Sequence, residues 1–152
     1  MGSDILKIPI ESFLVKANKK YLFRVIGANS GYATEISFQS HKITVVATDG
    51  NRIKPIEADS LILHGGERYD IELQTKNESF ANNFLIVSKL LIAYPHEDDE
   101  HYTIGLLKYE NADPISIASK NEMEKCNFTH KCIRVNVKRK LVFIITIIII
   151  IK

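Results

Sequence analysis

The sequence has little of what marks fibrous, disordered or disulfide-stapled proteins. Its 152 residues include no tryptophan, 2 cysteines, 4 prolines and 7 glycines, which excludes collagen-like repeats and disulfide-dense scaffolds. Intrinsic disorder is excluded as well, because 45% of the residues are hydrophobic and the net charge is only +2. So small a charge creates no basic field, and we therefore expect no nucleic-acid partner.

The cysteines and two glycosylation patterns bear on the compartment in which the chain works. Cys126 and Cys132 are close enough in sequence to form a disulfide in an oxidising compartment, with free thiols as the alternative. Asn77 and Asn127 each begin an Asn-x-Ser/Thr acceptor pattern for N-glycosylation. The first residues show no basic stretch followed by an apolar run, so we expect no signal peptide in this chain.

The first three quarters of the chain predict a series of short β-strands, because apolar and polar residues alternate and β-branched residues are frequent. The predicted strands are residues 13–15, 21–26, 34–38, 42–48, 60–63, 68–75, 84–87 and 102–109. A turn is predicted at residues 49–51, and Pro55 predicts a break in strand pairing after it. No amphipathic helix separates the strands. We therefore expect an all-β antiparallel sandwich or barrel rather than an α/β fold.

The chain divides into three regions of different composition. Residues 1–114 form the predicted β domain, residues 115–140 a more polar linker, and residues 141–152 an isoleucine-rich tail. The apolar run of the tail, 11 residues long, is shorter than the roughly 20 residues that a membrane-spanning helix needs, so we expect no membrane partner. An aggregation-prone β segment is the favoured interpretation of this run, and a cut-off anchor is the alternative.

Three blocks of the sequence resemble the multicopper oxidase family. They are YLFRVIGA at residues 21–28, ISFQSHKITVVATDG at residues 36–50, and PIEADSLIL at residues 55–63 followed by GERYD at residues 66–70. The blocks occur in the family's order and with its spacing, and residues 83–86 and 104–110 resemble two of its later strands. Over residues 5–114 the chain is similar to the middle domain of a laccase-like oxidase.

This resemblance implies a fold, a parent activity and partners. The fold is a cupredoxin-like Greek-key β-sandwich. The parent enzyme is a secreted copper enzyme that oxidises phenols or metal ions and reduces dioxygen to water. In that enzyme the middle domain binds no copper. It spaces the two copper-bearing domains, which are its partners, and forms one wall of the substrate cleft. Alone it is expected to have no oxidase activity.

Two other function classes stay open, a stand-alone electron-transfer cupredoxin and a β-sandwich interaction module without a redox role. The family's copper ligands come as His-x-His and His-Cys-His, because alternate residues of a strand share a face. No two histidines of this chain are separated by a single residue, as His-x-His requires. The five histidines are His41, His64, His96, His101 and His130. We therefore predict no metal site and no catalytic residue in this chain, with copper only in the parent.

Two other metal hypotheses involve the less regular part of the sequence. Cys126 and His130 could serve a lone blue-copper site, but no methionine follows them as the usual axial ligand. The segment HEDDEH at residues 96–101 contains metal-binding residue types. Adjacent carboxylates repel one another, so we interpret this segment as a solvated loop, with adventitious binding of a divalent metal as the alternative.

The resemblance gives Asp49 a role as a substrate-pocket candidate. In laccase-like oxidases an acidic residue in the corresponding loop accepts a proton or a hydrogen bond from the phenol or amine. The alternative is a turn residue only, since Asp-Gly-Asn is a good turn sequence. His41 matches the family's Gly-His turn and is expected to be a hydrogen-bonded structural residue. Asp59 and Arg68 are predicted to form a charged pair across the hairpin that they flank.

The resemblance stops near Asn136. Residues 126–137 are similar to the linker that follows the middle domain in the family, but Val137-Lys138 stands where Cys-Pro is expected. We therefore interpret the chain as a fragment, in which the isoleucine tail results from a truncated or mispredicted reading frame.

Overall fold

The computed structural model describes residues 11–28, 31–77, 82–91 and 102–112. All regular elements in these ranges are strands. In chain order they are β1 Ser12–Val15, β2 Lys20–Ile26, β3 Ala33–Phe38, β4 Ile43–Thr48, β5 Asn51–Ala58, β6 Ser60–Leu63, β7 Arg68–Gln74, β8 Phe84–Leu91 and β9 Tyr102–Tyr109. The predicted all-β fold is confirmed. No helix in the described ranges is long and apolar enough to cross a membrane.

The strands form two sheets. The five-stranded sheet has the order β1-β9-β8-β3-β6, and the four-stranded sheet has the order β2-β7-β4-β5. Within the described ranges all pairs are antiparallel except β1 and β9, which run parallel with Ser12 opposite Leu106 and Val15 opposite Tyr109. Successive side chains of a strand point to opposite faces, and in β3 and β4 buried and less buried residues alternate accordingly, whereas the first five residues of β8 are all buried.

The core lies between the sheets and is built from the inward residues of both. Phe23 of β2 packs edge-on against Phe38 of β3, with ring centroids 5.3 Å apart, and against Phe13 of β1 at 6.1 Å. Side chains that the solvent does not reach come from both sheets: Val15, Phe23, Val25, Ile36, Ile43, Ile71, Leu73 and Leu107. Burying a side chain of this size contributes about 2 kcal/mol, which makes this layer the main source of stability.

The strand connections gather at the two ends of the sandwich. We call one the Asp49 end; it contains Gly27, the β4–β5 turn with Asp49, and the β6–β7 turn from His64 to Glu67. The other is the His41 end; it contains the β3–β4 turn with His41 and the last residue of β9, Tyr109. These two ends lie at opposite ends of the strands. In the β2–β7 pair, for example, β2 begins opposite Gln74 and ends opposite Arg68.

A strand that the sequence analysis did not predict, β5, is the main difference from it, whereas the pairing is interrupted at Pro55 as expected. Residues 51–58 form a strand, β5, on both sides of this proline. β5 is an edge strand, so the missing N–H of proline costs no hydrogen bond within the sheet. The pairing is nevertheless irregular there, because the register passes directly from Val45 opposite Ile56 to Ala47 opposite Arg52.

Candidate functional site

Asp49 lies in a two-residue turn between β4 and β5. Thr48 pairs with Asn51, so only Asp49 and Gly50 form the loop. Both have positive φ angles, 47° and 86°, as required by the turn type that matches the twist of a β-hairpin. Aspartate tolerates this conformation and glycine adopts it freely, which explains why the sequence folds into a tight turn here.

Arg68, the first residue of β7, fixes the position of Asp49. The Asp49 backbone N–H donates to the Arg68 carbonyl oxygen at 2.7 Å. In return, Asp49 Oδ1 accepts from the Arg68 backbone N–H at 3.1 Å and from Arg68 Nε at 3.4 Å. The Asp49 side chain remains 50% exposed. The turn thus holds one carboxylate at the surface by a backbone bond and a side-chain contact to the same residue.

The rest of the Asp49 end is braced by turn contacts. Glu67 accepts a hydrogen bond from the His64 backbone N–H at 2.7 Å, which closes the β6–β7 turn. Gly27 donates to the Glu67 carbonyl at 2.9 Å, and its own carbonyl accepts from Gly66 at 2.7 Å. A Cβ at Gly27 would collide with the His64 carbonyl oxygen. The chain that follows β2 therefore fits against the β6–β7 turn only because residue 27 has no side chain.

The His41 end holds a buried hydrogen-bond network. His41 is 7% exposed and Tyr109 is 1% exposed. His41 Nδ1 lies 2.7 Å from the Gln39 carbonyl oxygen, and Nε2 lies 2.9 Å from the Tyr109 hydroxyl. The Tyr109 hydroxyl also accepts the Lys76 backbone N–H at 2.7 Å. Phe84 packs against the His41 ring at 4.7 Å and covers the network.

This network assigns the proton positions of His41. A carbonyl oxygen only accepts, so Nδ1 carries the proton and donates to Gln39, and Nε2 accepts from the Tyr109 hydroxyl. Burial lowers the pKa of His41; the hydrogen bond to Gln39 opposes this, and the charge of Lys76 adds to it. Burial raises the pKa of Tyr109, so the hydroxyl keeps the proton that it donates. His41 is therefore a neutral structural residue, as its position in the sequence pattern suggested.

The outer face of the four-stranded sheet carries ion pairs. Arg24 and Asp70 are directly opposite on β2 and β7, and the guanidinium donates to both carboxylate oxygens, at 2.8 and 3.0 Å. These hydrogen bonds lower the pKa of Asp70. Lys42, just before β4, and Glu57 of β5 form a more exposed pair at 2.9 Å. In each pair the cation is exposed, so water and salt screen the attraction and the pair contributes little to stability.

The described residues do not fit a copper site. His41 and His64 belong to opposite ends of the sandwich, and both ring nitrogens of His41 are engaged. In the described ranges no group of three or more His, Cys, Asp or Glu side chains is arranged to hold a metal ion. The other residues that the sequence singled out lie outside the described ranges. They are His96, His101, Cys126, Asn127, His130 and Cys132.

The predicted pair of Asp59 and Arg68 is wrong. Asp59 follows Ala58, which lies in the same row as Ile43 and Leu73 at the His41 end. Arg68 begins β7 at the Asp49 end, five residues from Leu73, which is about 17 Å along a strand. Arg68 pairs with Asp49 instead. A sequence interval cannot reveal at which end of a sheet a residue lies, and the Asp49–Arg68 contact was missed for that reason.

Comparison with known proteins shows which families this chain resembles. Residues 6–112 match the family model described as multicopper oxidase. Laccase-17 of Arabidopsis thaliana is 28% identical over 96 residues, and Laccase-4 of Thanatephorus cucumeris is 31% identical over 113 residues. These matches cover 63% and 70% of this chain but 17% and 21% of the two relatives. The chain thus corresponds to about a fifth of their length.

A solved structure supports the fold. The laccase of Botrytis aclada superposes with a TM-score of 0.61 at 22% identity, covering 78% of this chain and 24% of that one. The class of the fold is therefore a cupredoxin-like β-sandwich, as predicted. Since the family model spans residues 6–112, the chain belongs to the multicopper oxidase family, which is copper-containing and laccase-like.

Proposed function

We propose that this chain forms the middle domain of a laccase-like multicopper oxidase, without copper of its own. In this role it spaces two copper-bearing cupredoxin domains and contributes a wall of the cleft in which a phenol or a metal ion is oxidised at the expense of dioxygen. The observation that carries the proposal is a cupredoxin-like sandwich of this family in which the described histidines lie at opposite ends. Its predicted extent is residues 1–114, followed by the linker 115–140 and the tail 141–152.

Asp49 is the residue through which this domain contacts a substrate. The geometry supports the role in two respects. The carboxylate is half exposed, so a phenol or amine can reach it, and its turn is held by the backbone bond to Arg68, so its position is defined. A carboxylate so placed accepts a hydrogen bond from a phenol O–H or an amine N–H.

The parent enzyme is proposed to be secreted, which gives meaning to the predicted modifications. Asn77 follows β7 and is exposed, as a glycan acceptor must be. The second acceptor, Asn127, and the predicted Cys126–Cys132 disulfide lie outside the described ranges and stay predictions. Both modifications suit an oxidising, extracellular compartment.

Copper titration of the purified chain tests the absence of a site. We expect that Cu(II) binds weakly, is removed by a mild chelator and produces no intense blue thiolate band, and that diphenol and oxygen are not consumed. The circular dichroism of the same sample, which should be that of a β protein, is the control for folding. One tightly bound copper with an intense blue band would contradict the proposal and favour a stand-alone electron-transfer cupredoxin.

The sequence of the transcript tests whether this chain is part of a full-length multicopper oxidase. We expect the messenger RNA that encodes Asn136 to continue into a Cys-Pro sequence and later into a His-Cys-His block, because the relatives extend far beyond the matched region. Sequencing across this codon decides the matter. A message without copper-ligand blocks on either side would contradict the proposed parent and favour an interaction module.

A further inference from the structure

The two carboxylate oxygens of Asp49 have different surroundings. Oδ1 accepts from the backbone N–H and from Nε of Arg68. Among the residues that the structure describes, none donates to Oδ2. Both side chains are about half exposed, Arg68 at 57% and Asp49 at 50%. One oxygen is thus engaged by Arg68, and the other has no donor among the described residues.

We propose that Arg68 is a positioning residue, which holds Asp49 Oδ1 so that Oδ2 is presented to the O–H group of a phenol. This inference rests on the proposed role of Asp49 in the substrate cleft. The turn itself does not require a carboxylate, since asparagine and glycine also adopt positive φ angles. What distinguishes an aspartate here is the charge that it offers to Arg68 on one side and to a hydrogen-bond donor on the other.

The arrangement lowers the cost of binding a substrate. A free aspartate at the surface samples several rotamers, and fixing it on binding costs conformational entropy. Arg68 restricts the side chain beforehand through two donors, its Nε and its backbone N–H, and the backbone donor is anchored because Arg68 pairs with Ile26 in the sheet. The substrate class that profits is one with an O–H or N–H donor, whereas an inorganic electron donor without such a group gains nothing.

The first experiment measures the Asp49 rotamer in this chain by NMR three-bond couplings. We expect one dominant χ1 rotamer in the native chain and a smaller population of that rotamer in Arg68→Gln, which removes the Nε donor and keeps the backbone N–H donor. The matched control is Lys42→Gln, which removes the cation of another exposed ion pair at the His41 end and should leave the Asp49 rotamer unchanged. An Asp49 side chain that averages already in the native chain would overturn the inference.

The second experiment uses the full-length oxidase that carries this domain. We expect Arg68→Gln and Asp49→Asn each to lower kcat/KM for a phenol about 5-fold, the size of one hydrogen bond. Oxidation of ferrocyanide, which has no O–H group, should be unchanged at an ionic strength high enough to screen its negative charge, as should both activities in Lys42→Gln. A merely structural role of Arg68 would affect both donors alike.

The outcomes distinguish the positioning role of Arg68 from the proposed role of Asp49 on which it rests. If Asp49→Asn leaves phenol oxidation unchanged, the proposed role of Asp49 is wrong. If Asp49→Asn weakens phenol oxidation and Arg68→Gln does not, Asp49 contacts the substrate and only the positioning role of Arg68 is wrong.

Discussion

The two ends of the sandwich each contain a histidine and a tight turn, but water reaches them to very different extents. At the His41 end, the imidazole and the Tyr109 hydroxyl are buried, and each of their polar atoms has a partner. At the Asp49 end, His64 and Asp49 are exposed, and among the described residues hydrogen bonds are made to Oδ1 of Asp49 and none to Oδ2. A closed network stabilises a fold, whereas a carboxylate with an unused oxygen can bind something else.

The comparison teaches which signal of function to trust where the described residues contain no metal-binding group. Histidine is the residue type that first suggests copper, yet His41 serves the fold alone. The candidate for substrate contact is instead an aspartate in a turn, whose sequence has an ordinary structural explanation. Three changes, two at the Asp49 end and one at the His41 end, test the distinction, together with one change of pH.

The largest effect is expected for Gly27→Ala at the Asp49 end. The new Cβ would collide with the His64 carbonyl oxygen, which is backbone and cannot move aside without disturbing the β6–β7 turn. We expect a loss of about 3 kcal/mol in the free energy of unfolding, measured by urea denaturation.

The control for this change is Gly105→Ala in β9. There the nearest atom to a new Cβ is the Glu11 carbonyl oxygen at 3.5 Å, an ordinary contact. We expect Gly105→Ala to be neutral or to stabilise by about 0.5 kcal/mol, because alanine loses less entropy in a strand. Equal losses for both variants would show that the Asp49 end is not closely fitted.

The next largest effect distinguishes the two histidines. His41→Ala leaves the Tyr109 hydroxyl and the Gln39 carbonyl without their partner, so we expect a loss of about 2 kcal/mol. His64→Ala at the exposed end should change the free energy of unfolding by less than about 0.5 kcal/mol. Thermal and urea denaturation of both variants measures these losses. A loss for His64→Ala as large as that for His41→Ala would contradict the distinction between a buried and an exposed end.

The smallest effect is a dependence on pH. The pKa of His41 is lower in the folded chain than in the unfolded chain, where it is about 6.5. The unfolded state therefore takes up a proton first, so stability is complete above about pH 6.5 and declines as the pH falls towards the lower folded value. Asp70, whose pKa is also lowered, adds a loss only below about pH 4.

Urea midpoints at several pH values between 5 and 7.5 measure this decline. His41→Ala should remove most of it, and His64→Ala should retain it. A native chain with a constant midpoint over this interval would show that His41 accepts a proton without cost, and that its network is not closed.

Most strands could be predicted from the sequence, because a strand with one buried face shows an alternation of apolar and polar residues. The prediction failed at β5. Proline argues against a strand in general, but not at an edge where no N–H is needed, and the sequence does not reveal which strand lies at an edge.

The sites were less predictable than the strands. A turn at Asp49 follows from its local sequence, but its partner Arg68 is set by the register of β4 with β7. His41 was expected to be structural, yet its partner Tyr109 is 68 residues away, and no local pattern connects them. Contacts between distant strands depend on how the sheets are ordered, and this order is a property of the whole domain.

The pairing of β1 with β9 has a consequence for how the chain is made. These strands are the parallel pair of the described sheets, and Ser12 and Leu106 are separated by 106 − 12 = 94 positions. During synthesis β2 to β7 can find neighbours as they emerge from the ribosome, but β1 has no strand to join until β9 has followed. Among the described strands of this domain, the earliest in chain order is therefore placed last, and its apolar residues are buried only when the domain is complete.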